Sequence, residues 1–150
     1  MNTTITHSYR LISSSWGIAI DLTGYYVKDS KHSMEAYADA TKAKKIDNDL
    51  YVKILPELTE VEASMLAQGL RSISHQLKSI KPITIVISRL NYDPTDYQAE
   101  GLYLAIRGWV GQTFKLELPS IPASFNHEQN RYEFDFENED SRFARFDDCL

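Results

Sequence analysis

Cysteine is almost missing from this chain. Cys149 is the single one in 150 residues, which excludes an intramolecular disulfide framework and fits a reducing compartment. Its place beside the last residue argues against a structural or nucleophilic thiol. No stretch approaches the roughly 20 apolar residues of a membrane span. Met1 to Arg10 lacks a basic region followed by an apolar core, so no secretory leader and a cytoplasmic location are expected. Serines are plentiful, but none stands in a Gly-x-Ser-x-Gly turn, and none of Gly101, Gly108 and Gly111 sits between a strand and a helix start as a nucleotide loop requires. His7, His32, His75 and His127 are scattered, with no pair on one helix face, so neither a metal site nor a cofactor is expected. Basic residues are also short: 16 Lys and Arg against 21 Asp and Glu leave a net charge of -5. That balance argues against broad nucleic-acid binding and favours a basic partner.

The hydrophobic content of 43% and charged content of 25% are those of a globular protein, and the length suits one domain over 1–150. Alternation through Ile5, His7, Tyr9 and Leu11, then through Trp16, Ile18, Ile20 and Leu22, predicts an antiparallel pair of strands, with a bulge at Gly24. Ser33 opens a short helix expected to run to the lysines at 42, 44 and 45. Asp47, Asn48 and Asp49 break the chain. Residues 50–54 then read as a strand ended by Pro56. Thr59 and Glu62 have capping-box spacing, and the stripe Val61, Met65, Leu66, Leu70, Ile73, Leu77 and Ile80 predicts a helix running to Ile80, with His75 on its solvent side. The β-branched run at 83–87 predicts an interior strand. A turn is expected at Asn91 to Pro94, and a second capping box at Thr95 and Gln98. The helix that follows carries Ala99, Leu102, Tyr103, Ile106, Trp109, Val110 and Phe114, with Gly101, Gly108 and Gly111 allowing close packing on a sheet. After Phe114 a loop punctuated by Pro119 and Pro122 is expected to reach about Asn130. A last strand is predicted over 131–137, where Tyr132, Phe134 and Phe136 alternate with charges, and a flexible acidic tail over 138–150. The fold class is therefore α/β (α+β): a mixed sheet with two main helices on one face, in the order β-β-(α)-β-α-β-α-β.

No constellation of catalytic residues emerges. Asp21, beside the small residues Gly17 and Ala19, is the one carboxylate with a conceivable enzymatic setting, although a solvent-facing strand position explains it more simply. From Arg131 onward seven acids (Glu133, Asp135, Glu137, Glu139, Asp140, Asp147, Asp148) against three arginines (Arg131, Arg142, Arg145) give -4 of the total -5. Acids interleaved with aromatics suit a basic protein partner, because carboxylates speed encounter and rings supply anchoring area. The partner-binding candidates are Asp93, Asp96 and Tyr97 at the helix-start turn, and Asp135, Glu137, Glu139, Asp140, Asp147 and Asp148 in the terminal segment.

The stretches YVKILPEL, MLAQGLRSISHQLKS and PITIVISRLNYDPTDYQAEGLYLAI, with Gly69 and Tyr92 among their matching positions, resemble the strand, helix, strand and helix of the second domain of the fifth small-subunit ribosomal protein. Domain IV of translation elongation factor G shares that fold. The resemblance covers 50–114 and implies the fold without carrying over a functional residue. It raises an RNA- or ribosome-associated role as an alternative, for which Lys28, Lys31, Lys42, Lys44 and Lys45 would have to form one basic patch. In its size, its acidity and its lack of site chemistry the chain also resembles bacterial immunity proteins, which neutralise a toxin by binding it. The leading expectation is a non-enzymatic immunity protein that blocks a basic toxin domain. A small enzyme is the remaining alternative.

Overall fold

The computed structural model describes residues 3–13, 16–28, 43–137 and 143–144. Its main sheet has five strands: β1 (Ile5–Ser13), β2 (Trp16–Lys28), β3 (Lys44–Asp47), β4 (Leu50–Ile54) and β5 (Ile83–Tyr92). They lie in the order β1-β2-β5-β4-β3. Only β4 and β5 are parallel, because the helix α1 (Glu60–Ser72) crosses between them, whereas the other neighbours are antiparallel. The helix α2 (Gly101–Phe114) follows β5 and packs beside α1 and against β1 and β2. This is the mixed sheet with two helices that the sequence predicts.

Strand alternation builds the core. Leu11, Ile18, Ile20, Leu22, Leu50, Val52, Ile83, Ile85 and Ile87 form one cluster with Leu66, Leu70, Ile106 and Trp109 of the helices. On the opposite face of the first hairpin stand Thr6, Ser8, Arg10, Asp21 and Thr23. The bulge expected at Gly24 is present, as the β2–β5 register shifts between Thr23 and Gly24. Helix–helix and helix–sheet distances are set by missing side chains. A Cβ at Gly69 of α1 would stand 2.7 Å from the Tyr103 carbonyl oxygen of α2, and one at Gly108 would overlap the His7 ring of β1.

Several local expectations are corrected. The helix α1 stops at Ser72, where the Ser72 hydroxyl donates back to the Gly69 carbonyl at 2.7 Å. A 3₁₀ turn over Ser74–Leu77 continues the apolar spacing, and Leu77 is buried while Ile80 is only half buried. Val61, expected on the core stripe, is exposed. Lys44 and Lys45 belong to β3, which pairs with β4 through a turn at Asn48 and Asp49; the rest of the helix expected from Ser33 lies outside the described residues. Asn91 and Tyr92 extend β5, so the turn begins at Asp93. The loop expected after Phe114 contains two strands, β6 (Leu118–Pro119) and β7 (Ala123–Asn126). The last predicted strand is shorter than expected. It is β8 (Arg131–Phe134), antiparallel to β7. A two-residue β9 (Phe143–Ala144) pairs with β6, and the remainder of the expected acidic tail lies outside the described residues. Among the described residues no helix is long and apolar enough to cross a membrane.

Candidate functional site

Two acidic segments separated in sequence are tied together by side-chain bonds. The first is the turn after β5. The Asp93 carboxylate accepts from the Thr95 backbone N–H at 3.0 Å and the Thr95 hydroxyl at 2.9 Å, capping a 3₁₀ turn over Pro94–Asp96. These bonds hold the Asp93 carboxyl below its usual range. The expected capping box of Thr95 and Gln98 does not form, since α2 begins at Gly101 and its N-cap, Glu100, makes no side-chain cap bond. Tyr97 instead reaches α1: its hydroxyl donates to Glu62 at 2.5 Å, and its ring stacks on Tyr92 with centroids 3.7 Å apart. Burial, then the Glu62 bond, raises the Tyr97 pKa well above the ordinary phenol value. Burial alone would raise the Glu62 pKa, but the Tyr97 and Thr59 bonds outweigh it and the net shift is downward.

Glu62 has a second task. Together with Thr59 it forms the predicted capping box, Thr59 N–H to Glu62 at 3.0 Å and Glu62 N–H to the Thr59 hydroxyl at 3.1 Å. The same carboxylate thus fixes the start of α1 and the turn after β5. At this end of the sheet Leu55, Val61 and Tyr92 are 51%, 58% and 39% exposed. The stretches 54–70 and 90–106 supply Glu57, Glu60, Glu62, Asp93, Asp96 and Glu100 with no lysine or arginine.

The second acidic segment is β8 and the residues after it. Gln98 fastens it to the first: its side-chain N–H donates to the Tyr132 carbonyl at 2.6 Å, and its side-chain oxygen accepts from the Tyr132 N–H at 2.9 Å. Arg131 forms an ion pair with Glu100 beside this bond. Asp135 and Glu137 are exposed and line an open groove of about 810 Å³. Ser64, Gln68 and Arg71 of α1 form its other bank with Lys44. The Tyr103 ring stands 4.1 Å from that of Phe136, and both line the groove.

The site candidates therefore divide. Asp93, Asp96, Tyr97, Asp135 and Glu137 fall on linked segments, whereas Glu139, Asp140, Asp147 and Asp148 lie outside the described residues. Of the lysines an RNA role would require, Lys28 at the end of β2 and Lys44 and Lys45 on the edge strand β3 are exposed; Lys31 and Lys42 lie outside the described residues. Asp21 accepts from Ser8 at 2.7 Å and pairs with Arg10 at 2.9 Å on the face away from the helices. Burial would raise its pKa, but these two bonds outweigh it and the net shift is downward. Asp21 thus accepts in a half-exposed surface ion pair. Among the described residues no three His, Cys, Asp or Glu side chains come close enough together to hold a metal ion.

Sequence reasoning missed Arg107. This guanidinium is buried in α2, donates to the Ser72 hydroxyl at 2.7 Å and the Pro119 carbonyl at 2.5 Å, and lies 5.9 Å from the centre of the Tyr103 ring. It joins the end of α1 to β6 beneath the groove. A lone arginine within an apolar helical stretch, Leu102 to Val110, is the signal that would have drawn attention to it. Comparison with models of protein families, with curated proteins and with solved structures returns no match to this chain.

Proposed function

We propose that this chain is a protein-binding module that acts as an immunity protein, neutralising a cognate bacterial toxin by covering its basic active or binding surface. The observation that carries this reading is the linkage of two acidic, aromatic-bearing segments by Gln98 and Tyr132. Exposed apolar side chains at Leu55, Val61 and Tyr92 accompany them. Exposed carboxylates around apolar and aromatic anchors are what a basic partner requires, since the charges steer encounter and the desolvated rings hold the complex. Blockade of this kind needs no catalytic group. Asp21, the one carboxylate with a conceivable enzymatic setting, is bonded to Ser8 and Arg10.

The test is capture followed by rescue. The tagged chain, passed over lysate of its native cell, is expected to retain a basic protein, and cells expressing that protein are expected to grow only when this chain is co-expressed. Capture of a protein that is acidic, or harmless when expressed alone, would refute the reading.

A further inference from the structure

The outer edge of β8 is half closed. The Asp135 N–H turns to the Pro122 carbonyl at 2.9 Å, so antiparallel alternation directs the main-chain groups of Arg131, Glu133 and Asp135 toward β7 and those of Tyr132 and Phe134 away from it. Both outward groups of Tyr132 are taken by Gln98, whose amide stands in for one residue of a neighbouring strand. Phe134 is next along the same edge. Its N–H and carbonyl have no partner among the described residues, and it lines the groove of about 810 Å³ whose far bank is α1. A strand edge whose outward main-chain groups are open among the described residues, facing a groove, is the geometry that accepts an extended chain, with main-chain bonds giving affinity and alternate side chains giving selectivity.

We propose that this slot receives an extended segment of the protein partner, which adds to β8 beside Phe134. The inference rests on the protein-binding reading above and specifies how the partner is held. Tyr103, Phe134 and Phe136 favour apolar side chains at alternate positions of the segment. Asp135 and Glu137, exposed on the β8 bank, favour lysine or arginine at the positions between. Arg71 and Lys44 on the far bank disfavour a second basic row and leave polar groups there.

The probe is the blocked heptapeptide Lys-Val-Lys-Val-Lys-Val-Lys, titrated into the full-length protein with amide exchange read residue by residue. Bound peptide is expected to slow exchange of the Phe134 N–H by at least about tenfold. A glutamate-for-lysine version, and a version N-methylated at alternate amides, should each bind at least about tenfold more weakly. Gln68→Trp, which fills the slot from the exposed side of α1, should have the same effect without touching β8. Absence of protection at Phe134, or equal binding by the N-methylated peptide or by the Gln68→Trp protein, would overturn the inference. A captured native partner that binds Gln68→Trp protein as tightly as wild type removes the slot while leaving the protein-binding reading intact; failure to capture any partner removes that reading itself.

Discussion

Gln98 does with one side chain what a neighbouring strand would do with its backbone. Both of its bonds end on Tyr132, 34 residues away, and Tyr132 is itself fully buried. Gln98→Ala would remove both bonds from Tyr132, and should lower stability by about 1–2 kcal/mol in urea unfolding. The sequence suggested a capping role for Gln98 because Thr95 precedes it at the right spacing. Asp93 wins that competition, since it reaches the Thr95 N–H from two residues upstream. Thr59 and Glu62 were legible for the opposite reason, their bonds being local and unopposed. His7 carries the clearest pH dependence. Burial lowers its pKa from the ordinary 6.5, opposed by the Gln112 bond and with smaller, opposing effects of Arg10 and Asp21. The unfolded chain therefore takes up the proton first, so the stability contribution is complete above pH 6.5 and is lost as the pH falls below it. Urea midpoints should fall between pH 7.5 and 5.5 in the wild type, and His7→Gln should flatten that dependence.

Among the elements, the two helices and the central strands were the most legible, because apolar periodicity reports a face that meets the core. Their ends were not. The apolar stripe of α1 continues past Ser72 because a 3₁₀ turn preserves nearly the same spacing, and nothing local in the sequence distinguishes the two. The strand β3 was hidden in an alanine- and lysine-rich stretch, since its pairing with β4 buries only Ile46. The contact between α1 and α2 depends on Gly69. Alanine there would gain about 1 kcal/mol of helix propensity. Its Cβ would nevertheless press on the Tyr103 carbonyl oxygen at 2.7 Å and on the Ile106 side chain at 2.5 Å. The backbone cannot yield as a side chain can, so Gly69→Ala is expected to be net destabilising by about 1–3 kcal/mol, read from the urea midpoint. An unchanged or raised midpoint would mean that the helices are not held at this distance.

For the whole molecule, two acidic stretches far apart in the sequence are joined in three dimensions. The acidic turn after β5 and the acidic end of β8 are joined through the Gln98 and Arg131 links. Arg10, by contrast, is bonded to Asp21 on the outer sheet face. The sequence located both acidic segments, but their adjacency depends on contacts 31 and 34 residues apart that no periodicity encodes. Electrostatic steering of this kind raises association rates by about 10–1000-fold and fades as salt screens it. The most direct test is therefore the association rate of the captured partner with wild-type protein and with the Asp93→Asn, Asp96→Asn, Asp135→Asn, Glu137→Gln variant, at low and high salt. The predicted result is a variant slower by about tenfold or more at low salt, converging with the wild type at high salt. Equal rates at low salt, with the variant shown to be folded, would contradict the claim that these carboxylates draw in a basic partner.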